Sequence, residues 1–172
     1  MIKKFQGKYR IESLRYRYWD YANDAACFIT VCTKNRKEYL GTIMDGRMQL
    51  SDIGKIVSEE WFISRQIRQE LNLNLEIFTI LPDHLHGIII IRRRDARPGV
   101  STLPDKLNVC NKFGQQSNNI SSIIRGFKSA VTVRARKINP EFAWQPGYYD
   151  RLIRDGYEFN RIREYIMENI RQ

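Results

Sequence analysis

Apolar positions along the chain change period several times, and each change marks an element. Residues 26–33 (ACFITVCT) are β-branched and aromatic, which predicts a strand. Asp45-Gly46 is a turn signal, so residues 40–50 predict a hairpin or an irregular connection. Ser51 can cap a helix in which Ile53, Ile56, Val57, Ile63, Ile67 and Leu71 recur at helical spacing. Residues 73–81 (LNLEIFTIL) alternate as a second strand, which Pro82-Asp83 breaks. Residues 84–91 (HLHGIIII) follow as a third strand, apolar enough to lie centrally in a sheet. The break is short, so these two strands should pair antiparallel.

From Arg92 to Asn119 periodicity is lost among Pro, Gly, Asn and Gln, and residues 93–119 read as a mobile loop. A second helix carries Ile120, Ile123, Ile124, Phe127 and Val131 on one stripe, with Pro140 and Pro146 beyond it. Residues 148–154 (YYDRLIR) predict a fourth strand. Asp155 begins a last helix, and Glu158 completes a capping-box pattern. Phe159, Ile162, Ile166 and Ile170 form its apolar face. This order predicts an α+β fold, a ferredoxin-like antiparallel sheet with helices packed on one face and the other open to a ligand.

Composition narrows the class. The 172 residues fit one domain, 1–172, and 42% hydrophobic content supports a real core. Residues 1–22, rich in Lys, Arg and Tyr, read as a basic arm. The net charge of +10 calls for an acidic partner, nucleic acid ahead of an anionic membrane surface. No apolar run approaches the ~20 residues of a membrane span. The basic start has no apolar core of a signal peptide, so a cytoplasmic, nucleoid-associated protein is expected. Three cysteines, Cys27, Cys32 and Cys110, without a CxxC pair argue against a zinc ribbon or a disulfide framework. They read as small thiols in a reducing compartment.

The chain has two histidines, both in Asp83-His84-Leu85-His86-Gly87. On a strand, residues i and i+2 point the same way, so His84 and His86 share a face. Two neutral imidazoles held together are a ligand pair for a divalent cation. Two polar rings on an otherwise apolar strand need a partner. In the last helix Tyr165 and Asn169 lie one turn apart and flank its apolar stripe. Spacing alone does not select one tyrosine among nine.

PDHLHG at a strand start resembles the His-hydrophobe-His motif of the HUH single-strand DNA nucleases and transposases. Followed by WQPGYYDRLIRD at 144–155 and RIREYIMEN at 161–169, it is similar to the REP-associated tyrosine transposases, relatives of the smallest insertion-sequence transposases. The resemblance spans residues 28–170. It implies the HUH endonuclease fold with the histidine strand central. It implies Tyr165 as nucleophile, and His84 and His86 as ligands of Mg²⁺ or Mn²⁺. Asn169 stands where insertion-sequence relatives carry a metal-holding Gln. The implied activity is cleavage and rejoining of single-stranded or hairpin DNA through a 5′-phosphotyrosine, by a monomer or homodimer. The alternatives are a domesticated DNA-binding module that has lost cleavage and, less favoured, a metal hydrolase acting through water.

A phenol with a pKa near ~10 is a poor nucleophile unaided, and a metal that polarises the phosphate answers that need. No P-loop pattern is present, consistent with rejoining that needs no nucleotide cofactor. For binding, Arg92, Arg93 and Arg94, the helix residues Arg125, Lys128 and Arg134, and Arg151 are candidates for phosphates. Trp144 and Tyr149 are candidates for base stacking, with core packing as the competing role. The basic groups should gather around a nearly uncharged histidine pocket.

Overall fold

The computed structural model describes residues 25–68, 72–91 and 119–169. The basic arm, Arg92 to Arg94, the 93–118 segment, Cys110 and Ile170 lie outside the described residues. The elements are β1 (Ala25–Cys32), a 3-10 turn (Lys34–Arg36), β2 (Gly41–Met44), β3 (Arg47–Leu50) and α1 (Asp52–Ile67). After these come β4 (Phe78–Leu81), β5 (His84–Ile91), α2 (Ile120–Ala135), β6 (Tyr149–Leu152) and α3 (Gly156–Glu168).

Setting aside the β2–β3 hairpin and α3, the order is β-α-β-β-α-β. The sheet runs β4-β5-β1-β6 with every pair antiparallel, the ferredoxin-like arrangement expected from the sequence. The histidine strand is interior, between β4 and β1.

Local chemistry explains the boundaries. The Ser51 side chain accepts from the Gly54 amide at the start of α1. Asn119 and Ser122 form a reciprocal capping box on α2. Asp155 accepts from the Glu158 amide on α3, whereas the Glu158 carboxylate reaches one residue further back, to the Arg154 amide at 3.0 Å. The second strand is shorter than its alternation suggests. The Asn74 side chain accepts from the Glu76 amide at 3.1 Å, an Asx turn that interrupts the ladder between the Asn74–Ile90 bridge and β4. Leu73 and Leu75 still reach the core.

The main core lies between one sheet face and α1 with α2. Cys27, Ile29, Val31, Leu85, Ile89 and Ile91 meet Val57, Trp61, Ile123, Phe127 and Val131 there. The expectation that all helices share one face is corrected by α3, which covers the other. Ile162 and Ile166 pack on Ile88, with Phe28, Ile77, Ile90 and Phe159 around them. The reason lies in β5, whose Ile88–Ile91 run is apolar in both directions and needs cover on both sides.

Gly87 marks a close approach across the main core. A Cβ there would lie 2.8 Å from Cζ2 of Trp61, whose indole Nε1 is anchored on the Leu75 carbonyl at 2.9 Å. The glycine after the second histidine therefore seats the largest side chain of α1 against the strand.

Candidate active site

The β1–β5 register places Thr30 opposite His86 and Cys32 opposite His84. Directly opposed residues point to the same side of a sheet. The α3 side thus carries His84, His86, Thr30 and Phe28, and Tyr149 and Arg151 join through their pairing with Thr30 and Phe28.

The two imidazoles meet edge to face, with Nε2 of His84 3.1 Å from Nε2 of His86. Each outer nitrogen has its own partner. Nδ1 of His84 lies 2.5 Å from Oδ1 of Asp83, and Nδ1 of His86 lies 2.8 Å from Oγ1 of Thr30. Asp83 is a pure acceptor when ionised, so it takes the Nδ1 proton of His84 and leaves Nε2 with its lone pair. Thr30 can donate or accept, so His86 is free to hold its proton on either nitrogen. With the proton on Nε2 of His86, that N–H would donate to His84 and Nδ1 would accept from the Thr30 hydroxyl.

The donor types suit a divalent cation, two imidazoles side by side on one strand. His84 and His86 would hold such an ion through their Nε2 atoms, which lie 3.1 Å apart. Both imidazoles also carry the outer partner that orients a metal-binding histidine. Among the described residues no cluster of three or more His, Cys, Asp or Glu side chains could hold a metal.

His86 is buried at 8% exposure. Burial, then the neighbouring His84 and Arg36 charges, push it down to about 4. It is neutral at physiological pH, the form a metal or a hydrogen-bond relay needs.

Tyr165 projects from α3, half exposed, with its hydroxyl 3.4 Å from Nε2 of His86. Phe28 stacks on His86 with ring centres 5.2 Å apart and meets the Tyr165 ring edge-on at 6.3 Å. One aromatic from β1 therefore holds a histidine and the tyrosine together, and all three come from one chain. Asn169, the C-cap of α3, donates its Nδ2 to the Tyr165 carbonyl at 2.8 Å. That bond is to its own helix, not to either histidine.

The other site candidates divide. Tyr149 is 52% exposed on the site face and lines a 150 Å³ cavity beside it with Thr30, Cys32 and Gln145. Arg151 is also on that face, tied to Glu158 of α3 at 2.6 Å. Trp144 is core, packed between Phe127 and Phe142, which corrects the stacking role. Lys128 donates to the Gln145 and Gly147 carbonyls at 2.6 and 2.7 Å, and burial pushes its pKa down. Its ammonium therefore braces the turn before β6. Arg134 joins α2 to Glu59 and Glu60 of α1, on the far side of the sheet from the histidines. Arg125 is exposed. The expected ring of α2 charge around the pocket is not formed, because α2 packs on the opposite face.

Cys27 and Cys32 are free and buried. Burial and the Asp150 charge push the Cys27 thiol up to about 12, which makes it inert.

Sequence reasoning did not single out Thr30, Phe28, Asp83 or Arg36 for the site. Asp83 adjoins His84 in the chain and was the readable one. Thr30 and Phe28 needed the strand register.

Fold and site together are an α+β sheet with a histidine pair on an interior strand and a helix that lays Tyr165 over it. A REP-associated tyrosine transposase, solved bound to a REP hairpin, shares this fold at a TM-score of 0.60 and 18% identity, over 91% of this chain and 72% of that one. No family model matches the chain. An uncharacterised protein of Haemophilus influenzae is 36% identical over 170 residues, 95% of this chain and 89% of that protein, and the chain belongs to its family.

Proposed function

We propose that this protein is a DNA strand transferase that cuts and rejoins single-stranded DNA, probing hairpin-bearing substrates, with Tyr165 as nucleophile. The observation that carries the reading is the Tyr165 hydroxyl 3.4 Å from His86, itself 3.1 Å from His84, within one chain. The net charge of +10 and the likeness in fold to a transposase solved on a REP hairpin support DNA as the substrate.

The Tyr165 oxygen would bond to the scissile phosphorus as the P–O3′ bond breaks. The phenol loses its proton, the departing 3′ oxygen gains one, and a 5′-phosphotyrosine remains. One phosphodiester replaces another, so the reverse attack by a new 3′-OH rejoins DNA without a nucleotide cofactor. His84 and His86, with the Asn169 amide oxygen as a third donor, would hold Mg²⁺ or Mn²⁺. The ion supplies charge neutralisation on the phosphate when bound. Asp83 and Thr30 fix the two rings, and Phe28 sets the approach of Tyr165. Tyr165 is half exposed, so a strand can approach it from solvent.

The test is covalent capture of a labelled hairpin with single-stranded flanks, in Mn²⁺ or Mg²⁺. The wild type should form an adduct that chelation abolishes. Tyr165→Phe should form none while retaining DNA binding. Cleavage surviving in Tyr165→Phe would refute the reading. Binding without cleavage by the wild type would leave a DNA-binding module.

A further inference from the structure

We propose that Arg36 is a positioning residue for this site, acting through Asp83 to hold the His84 imidazole in its metal-ready tautomer. The inference rests on the endonuclease reading for its purpose, but not for its measurement.

The first observation is backbone strain. Asn35 and Arg36 are consecutive left-handed residues, with φ of 56° and 55°. Asparagine visits this region readily, whereas arginine pays a steric penalty there. Strained residues persist where the surroundings over-determine them.

Those surroundings are the Pro82-Asp83 turn that delivers the histidines. The Thr33 amide donates to the Asp83 carbonyl at 2.9 Å, and the Leu40 amide donates to the Pro82 carbonyl at 2.9 Å. The buried Thr33 hydroxyl lies 2.7 Å from the Lys37 carbonyl and 3.0 Å from that of Asp83. Residues 33–40 therefore strap the turn from outside, and the left-handed pair bends the strap back over it.

The bend aims one side chain. Nε of Arg36 lies 2.8 Å from Oδ2 of Asp83, and its Nη1 donates to Sγ of Cys32 at 3.0 Å. The other Asp83 oxygen, Oδ1, serves Nδ1 of His84. Each carboxylate oxygen thus has one partner, Arg36 on one side and His84 on the other. Without Arg36 the carboxylate could rotate about its own axis into solvent and release the ring. The rigid guanidinium spans Asp83 and Cys32 at once, which a lysine ammonium cannot reproduce with the same geometry.

The experiment uses the full chain without DNA. Imidazole ¹⁵N spectra of the metal-free protein should show His84 in one tautomer, protonated on Nδ1. Arg36→Gln should show a mixture of tautomers, with Mn²⁺ binding weakened by about 10–100-fold, the usual range for losing an outer-shell partner. Arg36→Lys should restore part of both. Arg36→Gly relieves the left-handed strain, so its melting midpoint should not fall, yet tautomer and Mn²⁺ affinity should be lost as in Arg36→Gln. Wild-type tautomer and wild-type Mn²⁺ affinity in both Arg36→Gln and Arg36→Gly would overturn the proposal. So would losses that merely track the melting midpoint. Failure of the wild type to cleave DNA would refute the endonuclease reading and leave these two readouts standing.

Discussion

Lowering the pH should destabilise this protein through His86, and the size of the effect follows from where that ring sits. His86 lies on the interior strand, 8% exposed, under Phe28 and beside a second imidazole. In the unfolded chain its pKa is the ordinary ~6.5; in the folded protein burial and the His84 and Arg36 charges push it down to about 4. Above pH ~6.5 the ring is neutral in both states and contributes nothing to the pH dependence. As pH falls from there toward 4, the unfolded chain takes up the proton and the folded one resists, so stability is lost as pH falls. Each tenfold difference in proton affinity is worth about 1.4 kcal/mol, so the full loss is about 3 kcal/mol.

That is a large share of the ~5–15 kcal/mol stability of a typical domain. The assay is urea unfolding in EDTA at a series of pH values, for the wild type and His86→Gln. The variant loses the Thr30 bond and the ring stack at every pH, a constant offset. The difference between the two proteins should therefore shrink by about 3 kcal/mol between pH 7 and pH 4. Carboxylates remote from the site, which titrate in the same range, cancel in the difference. A difference that stays flat across this range would refute the claim that His86 is held neutral by burial.

Two further outcomes test packing and charge. Gly87→Ala drives a Cβ to 2.8 Å from the Trp61 ring; it should cost about 1–3 kcal/mol by overpacking, read by urea unfolding, and broaden the His86 resonances next door. Arg134→Ala releases Glu59 and the buried Glu60; it should lower the melting midpoint yet leave the salt slope of DNA binding unchanged, where loss of a phosphate contact would reduce that slope by about one.

Much of this was legible in the sequence because it is encoded locally. Ser51 and Asp155 announce helix starts through their own side chains. The i, i+2 spacing of His84 and His86 puts both rings on one face whatever the sheet around them. The 3.6-residue period of α3 buries Ile162 and Ile166 and leaves Tyr165 at the edge of the buried stripe. The choice of Tyr165 among nine tyrosines came from family resemblance, since no local signal separates it from Tyr149 or Tyr157.

Other features were decided only in three dimensions. Which face α3 covers depends on the two-sided apolar demand of β5, a property of the assembled sheet rather than of α3. Arg134 and Lys128 look like DNA contacts in a basic helix, but their partners are Glu59 and Glu60 on α1 and the carbonyls of Gln145 and Gly147. Trp144 follows the same rule, drawn into the core by Phe127 and Phe142. The histidine pair was readable from five consecutive residues, yet Thr30, Phe28 and Arg36 become part of its site only when β1 pairs with β5 and the 33–40 strap closes on the Pro82-Asp83 turn. Local spacing sets the direction of a side chain, whereas its partner is set by strand register and by which element arrives on that face.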